Sequence, residues 1–300
     1  MLRTMQILML SLVSGSIAAA EDRIELTYRA EPSFQLTVSV EGTAEGHVLG
    51  LPNTGKLVLV SREKRKLLAQ MSEVPAGETA SLKMTGESSS ESTINGNTRD
   101  PMTETVGPVV FTFDRRGQVV RTEVDPFEAS PQNLMRFRWW RYIVQQLDLP
   151  PVLPEEPVAP GATWTAAANL TGPDGKPLKA RQEFRFLGTS DESEVRTAWL
   201  RGEIVVPLEL SFKSDEGVYK VEGKVRIDKL YAFDIDKGLP LGSTDRAVID
   251  MSITAKRAEG EEFRSQLYMR ADGKTTMKPK TEESGTADDK KPESEQTKGR

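Results

Sequence analysis

The sequence predicts a mainly β protein: a large antiparallel, strongly curved sheet or half-barrel with one central helix. Three observations carry this. Apolar side chains recur at every second position over long stretches, as in Phe34, Leu36, Val38, Val40 and in Ala247, Ile249, Met251, Ile253, with Glu, Lys, Arg, Thr and Ser between them. Such a sheet has one packed and one wet face, the habit of antiparallel rather than parallel sheets. Turn signals containing Gly separate the runs, and a single segment near the middle changes to helical spacing.

In chain order, residues 1–20 read as a cleaved export signal: Arg3, an apolar run from Met5 to Val13, and a small-residue end at Ala18-Ala19-Ala20. That run is too short to span a bilayer. Residues 21–126 form a first β half that includes the turn Asp114-Arg115-Arg116-Gly117. Residues 127–160 hold the helix and a proline-rich linker. Ser130 caps the helix, Pro131 suits its first turn, Phe137, Trp140, Val144 and Leu147 make its apolar stripe, and Pro150-Pro151 ends it. The helix is expected to lie across the open sheet face. Residues 161–273 form a second β half, with Gly172-Pro173-Asp174-Gly175 and Asp236-Lys237-Gly238 as hairpin turns and Tyr219, Val221, Gly223, Val225, Ile227 as the clearest strand.

Two stretches lack a core. Gly86 to Pro108 is rich in Ser, Thr, Asn and Glu and fits either a wet hairpin or an unstructured loop. Residues 274–300 carry Met277 as their only large apolar side chain and read as a disordered tail, because so little buried surface cannot offset the ordering entropy.

Composition narrows the chemistry. There are 40 basic and 45 acidic residues, net charge −5, with both signs interspersed, so nucleic acid is not an expected partner. With no Cys there is no disulfide, thiolate metal site or cysteine nucleophile, and no lipoprotein anchor. His47 is the only histidine and lies near an early turn, where an ordinary surface role outweighs catalysis. No nucleophile elbow, P-loop, dinucleotide fingerprint, zinc-protease or EF-hand motif occurs. Catalytic, cofactor and metal residues are therefore all expected to be none. Paired carboxylates could still act alone. Asp125, Glu128, Glu155, Glu156, Asp234, Asp236, Asp245 and Asp250 are the candidates, and nothing in the sequence separates them from turn and surface acids. Asp234 and Asp236 beside Gly238 read as a hairpin turn rather than a calcium loop.

What remains is a surplus of large apolar side chains. In a packed sandwich they would be core. In a curved sheet covered by the helix, Phe137, Trp140, Val144, Phe184, Phe186, Trp199, Tyr231 and Phe233 would line an apolar groove.

The linker Leu153-Pro154-Glu155-Glu156-Pro157-Val158-Ala159-Pro160-Gly161-Ala162-Thr163-Trp164, with the Phe113–Gly117 hairpin and the Phe233–Pro240 stretch, resembles an uncharacterised family of secreted bacterial β-rich proteins, distantly reminiscent of the half-barrels of periplasmic lipoprotein carriers. The resemblance implies export and a large antiparallel sheet, and brings no activity with it.

The expected function is thus an exported, soluble, non-catalytic protein of the periplasm or exterior that binds an apolar or lipid-like ligand between sheet and helix. A structural or protein-interaction module of the envelope is the alternative, and a carboxylate-dependent hydrolase the third reading. Membrane contact, through Arg136, Arg138 and Arg141 of the helix, would be peripheral at most.

Overall fold

The long two-residue rhythm folds into long strands. A computed structural model describes residues 23–29, 35–49, 56–73, 79–124, 143, 146, 150–191, 195–214, 217–257, 260 and 262–279. Twelve strands lie among them: β1 (Gln35–Leu49), β2 (Lys56–Glu73), β3 (Thr79–Ile94), β4 (Asn97–Thr98), β5 (Met102–Asp114), β6 (Val119–Val124), β7 (Thr163–Thr171), β8 (Pro177–Ser190), β9 (Thr197–Ser214), β10 (Gly217–Asp234), β11 (Leu239–Arg257) and β12 (Glu262–Pro279). They make one antiparallel sheet in the order β6-β5-β3-β2-β1-β12-β11-β10-β9-β8-β7, with the short β4 beside β3. The two sequence halves join through β1 and β12, paired from Leu36↔Pro279 to Leu49↔Gln266.

The sheet is not the expected open half-barrel around a helix. It curls until its ends meet as a nearly closed barrel: β6 touches β7, where the Thr122 hydroxyl donates to the Asn169 carbonyl (3.3 Å) and the Thr171 hydroxyl to the Thr122 carbonyl (3.1 Å). No helical element is defined among the described residues, although Ile143 itself has helical conformation, and most of the expected helix at 130–148 falls outside them. Inside the barrel the sheet's own side chains pack against one another. Phe111, Ile204, Val206, Leu208, Val225 and Ile249 are all essentially inaccessible to water and belong to one large cluster, each contributing about 1.5–3 kcal/mol by burial. Of the middle segment, Ile143 joins this cluster, and Gln146 grips Thr171, donating to its carbonyl (2.7 Å) and accepting from its amide (2.8 Å).

The polarity of the two faces is sharp. Along β10 the outward side chains Lys220, Glu222, Lys224 and Arg226 are exposed, and the intervening Val221, Val225 and Ile227 are buried. Outward charges pair across strands: Arg201 with Asp228, Arg226 with Glu203 (3.1 Å), Arg246 with Asp272 (2.9 Å) and Lys64 with Glu41 (3.7 Å). Such exposed pairs add little stability singly. They do fix which face meets water.

The three expected turns are present, with Gly117, Gly175 and Gly238 at φ of +82°, +78° and +63°. Gly86 to Pro108 lies in β3, β4 and β5, a wet hairpin arm rather than a loop. Residues 274–279, expected to belong to the disordered tail, instead continue β12 to Pro279 by pairing with β1, where backbone ladder bonds compensate for the scarcity of apolar side chains.

One end of the barrel is plugged by residues 23–29 and 150–164. Ile24 and Val158 form a two-way backbone bridge (2.9 Å each), Leu153 donates to the Arg116 carbonyl (2.8 Å), and the Trp164 indole donates to the Val152 carbonyl (2.8 Å). Leu26, Val152 and Leu153 pack there on Phe184, Phe186, Leu200, Tyr231 and Phe233. The linker expected to lead the chain into the second half thus also serves as the stopper.

Candidate functional site

Barrel interiors this apolar leave charged side chains conspicuous. Register places Glu63, Gly42, Gly273, Asp245 and Lys229 side by side on β2, β1, β12, β11 and β10, all on the inward face. Arg65, one inward position along β2 from Glu63, is 5% exposed and Lys229 3%. Glu63 lies 3.6 Å from Arg65 and accepts a hydrogen bond from Ser88 (2.7 Å). The Lys229 ammonium lies 5.5 Å from the centre of the Tyr231 ring, a cation–π contact strengthened by burial. The Asp245 carboxylate sits against the Cα of Gly273, where a Cβ would come within 2.7 Å of it.

Between these charges is a cavity of about 120 Å³, lined on its apolar side by Val40, Ala44, Ile227, Ala247, Met269 and Ala271 and on its polar side by Ser61, Glu63, Arg65, Lys229 and Asp245. The scale is that of a small ring or a short chain, since a dry cavity of about 150 Å³ holds benzene. Its lining sets fixed charges of both signs beside an aliphatic wall.

The residues expected to line a groove are dispersed. Phe184, Phe186, Tyr231 and Phe233 come together, fully buried, but as the packed floor beneath the stopper: Phe184 stacks on Trp164 with ring centres 5.7 Å apart, and Tyr28 meets Phe233 edge-on at 5.5 Å. Trp199 faces outward, 37% exposed. Phe137, Trp140 and Val144 lie outside the described residues. Among the candidate acids, Asp245 lines the cavity. Asp250 points to solvent. Asp234 is buried in its turn, accepting from the amides of Asp236 (3.0 Å) and Lys237 (2.9 Å), and Glu155 pairs with Arg116 at the stopper. Asp125 and Glu128 lie outside the described residues. His47 is on the outer face, its ring centre 5.6 Å from that of Tyr268.

Glu63, Arg65 and Lys229 were not anticipated. The signal for them is a charge in the apolar phase of a strand. Lys229 keeps step with Val225, Ile227 and Tyr231, and Arg62-Glu63-Lys64-Arg65-Lys66 is a charged run so long that a strand must turn part of it inward.

No family model matches the chain, and no curated protein matches it. Several solved structures show a weak likeness, among them the following three. An outer-membrane channel from Pseudomonas putida F1 is 7% identical with a TM-score of 0.28, over 84% of this chain and 97% of that one. Salmonella typhi OmpF in complex with daunomycin is 8% identical with a TM-score of 0.21, over 82% and 98%. A porin mutant from Rh. blastica is 10% identical with a TM-score of 0.20, over 79% and 99%. Scores this low transfer neither detailed fold nor activity. The faces of the barrel speak for themselves: a lipid-spanning barrel turns an apolar band outward and polar groups inward, whereas here charges face out and the core faces in.

Proposed function

We propose that the chain is exported and, without catalysing a reaction, holds a small amphipathic molecule inside its barrel. The observation that carries this reading is the cavity of about 120 Å³ beside the apolar core, with buried charges on one wall and aliphatic side chains on the other. A ligand of that size has a polar head and a short apolar part. A long acyl chain would have to displace core side chains, so the lipid-like ligand is limited to a small amphiphile. Export rests on the sequence of residues 1–20, and a water-facing surface of paired charges suits a soluble envelope or extracellular protein.

The test is native mass spectrometry on protein extracted gently from its own producing cells. A discrete small-molecule adduct, lost on denaturation, is the expected result. Ligand-free protein recovered in a stoichiometric complex with one envelope protein would replace this reading with that of an interaction module.

A further inference from the structure

We infer that the gap at Gly42 receives a zwitterionic head, an ammonium group joined to a phosphate or carboxylate; this rests on the ligand-binding reading above. The first argument is the glycine itself. Gly42 is not in the left-handed region, and a Cβ there would meet only the Asp272 carbonyl oxygen, at an ordinary 3.5 Å. Neither backbone conformation nor packing demands glycine. Gly46, Gly86 and Gly223 differ, since a Cβ on each would lie within 2.2, 2.0 and 2.3 Å of a neighbouring atom. Glycine inside a strand costs stability against alanine, so Gly42 preserves open volume at the expense of the fold.

The second argument is charge balance. Along one register row Glu63 flanks Gly42, and Asp245 with Lys229 lies beyond Gly273. With Arg65 the wall carries two cations and two anions. A simple anion would confront the carboxylates, and a simple cation the guanidinium and ammonium. A zwitterion meets both signs and adds no net charge to a low-dielectric interior, where an unbalanced charge is costly. Ion pairs serving only to tie strands together would not need an unfilled space between them. A further polar group lies close by: Thr275, one inward position along β12 from Gly273, is 4% exposed, and its hydroxyl has no partner among the described residues.

The experiment is calorimetric titration of the full chain with a matched set of methyl compounds carrying phosphocholine, sulfate, trimethylammonium or glucoside heads. The phosphocholine compound should bind about tenfold more tightly than each of the others. Gly42→Val should weaken that binding by about tenfold or more while leaving the thermal midpoint unchanged or raised, and Gly42→Ala, a smaller filler, serves as the second variant should the first fail to fold. Equal binding of all four heads, or full binding by Gly42→Ala and Gly42→Val, would overturn the headgroup assignment and leave a ligand-binding barrel in place. Failure of every compound to bind, in protein that also carries no native adduct, would remove both.

Discussion

Glycines on the same face of one strand can have opposite purposes. At Gly46 a Cβ would fall 2.2 Å from Met269 Cγ and 2.5 Å from the Tyr268 carbonyl oxygen. The backbone oxygen cannot retreat without breaking the β1–β12 ladder, so the strands must separate. Gly46→Ala is expected to cost about 1–3 kcal/mol by overpacking, whereas Gly42→Ala should be neutral or gain up to about 1 kcal/mol; urea unfolding of both variants measures the contrast. The sequence shows two glycines four residues apart and nothing to separate them, because the distinction lies in the partner strand. The buried charges were more legible. Asp245 stands in phase with Ala247, Ile249 and Met251, and its position inside the barrel follows from that phase once the inward face is known. The aromatic residues misled for a related reason. Trp199 keeps step with Arg201 and Glu203 along β9, so it falls on the outer face, opposite the Phe186/Gly188 irregularity of β8.

At the scale of elements, the hairpins could be read directly, since Gly after a short polar turn is a local chemical requirement. The stopper could not. Tyr28 donates its hydroxyl to the Pro151 carbonyl, and its ring lies so close to Gly117 that a Cβ there would meet it at 2.5 Å. Arg29 donates its amide to the Gly238 carbonyl (3.2 Å). Two hairpin turns distant in sequence thus clasp residues 23–29, a contact that no local pattern encodes. Burial of the Tyr28 phenol, and next the charge that Tyr231 would carry, hold its pKa well above the usual value of 10.0. The folded state therefore keeps this proton where the unfolded chain loses it. Its stabilising contribution is complete below about pH 10 and is lost as pH rises from there through the higher folded value. Tyr28→Phe removes the hydrogen bond and should lower stability by about 1 kcal/mol at pH 7. Above about pH 10 the deficit should shrink and reverse, because Phe has no proton to lose. Urea midpoints of both proteins from pH 7 to 11 give the comparison. Parallel curves across that range would show that the phenol is not held neutral by the stopper.

For the whole molecule, alternation announced the sheet but not its closure, because a strand's inward and outward faces look alike whether the sheet's edges meet or stand apart. Closure has a consequence set by counting. The path from β6 to β7 contains eleven strands, each antiparallel to the next. An odd number means that the two end strands run in the same direction, so the seam is the one place where the barrel would have to pair in parallel. In a parallel pair one residue bonds to two positions flanking its opposite number. Thr122 does this with Asn169 and Thr171, but through threonine hydroxyls in place of backbone amides. The Thr171 amide is already committed to Gln146. Among the described residues no backbone ladder joins β6 to β7. The seam therefore lacks the cooperative bonding of every other interface and should be where the barrel opens first, which is also the natural lateral route to its interior. Native-state hydrogen exchange tests this directly. Amides of Val119–Val124 and of the seam edge of Thr163–Thr171 should exchange through an opening of lower free energy than those of β9 and β10, and Thr122→Val should accelerate them selectively. Uniform protection around the barrel, or acceleration at β9 and β10 equal to that at the seam, would mean that the hydroxyls are incidental and the barrel opens only by global unfolding.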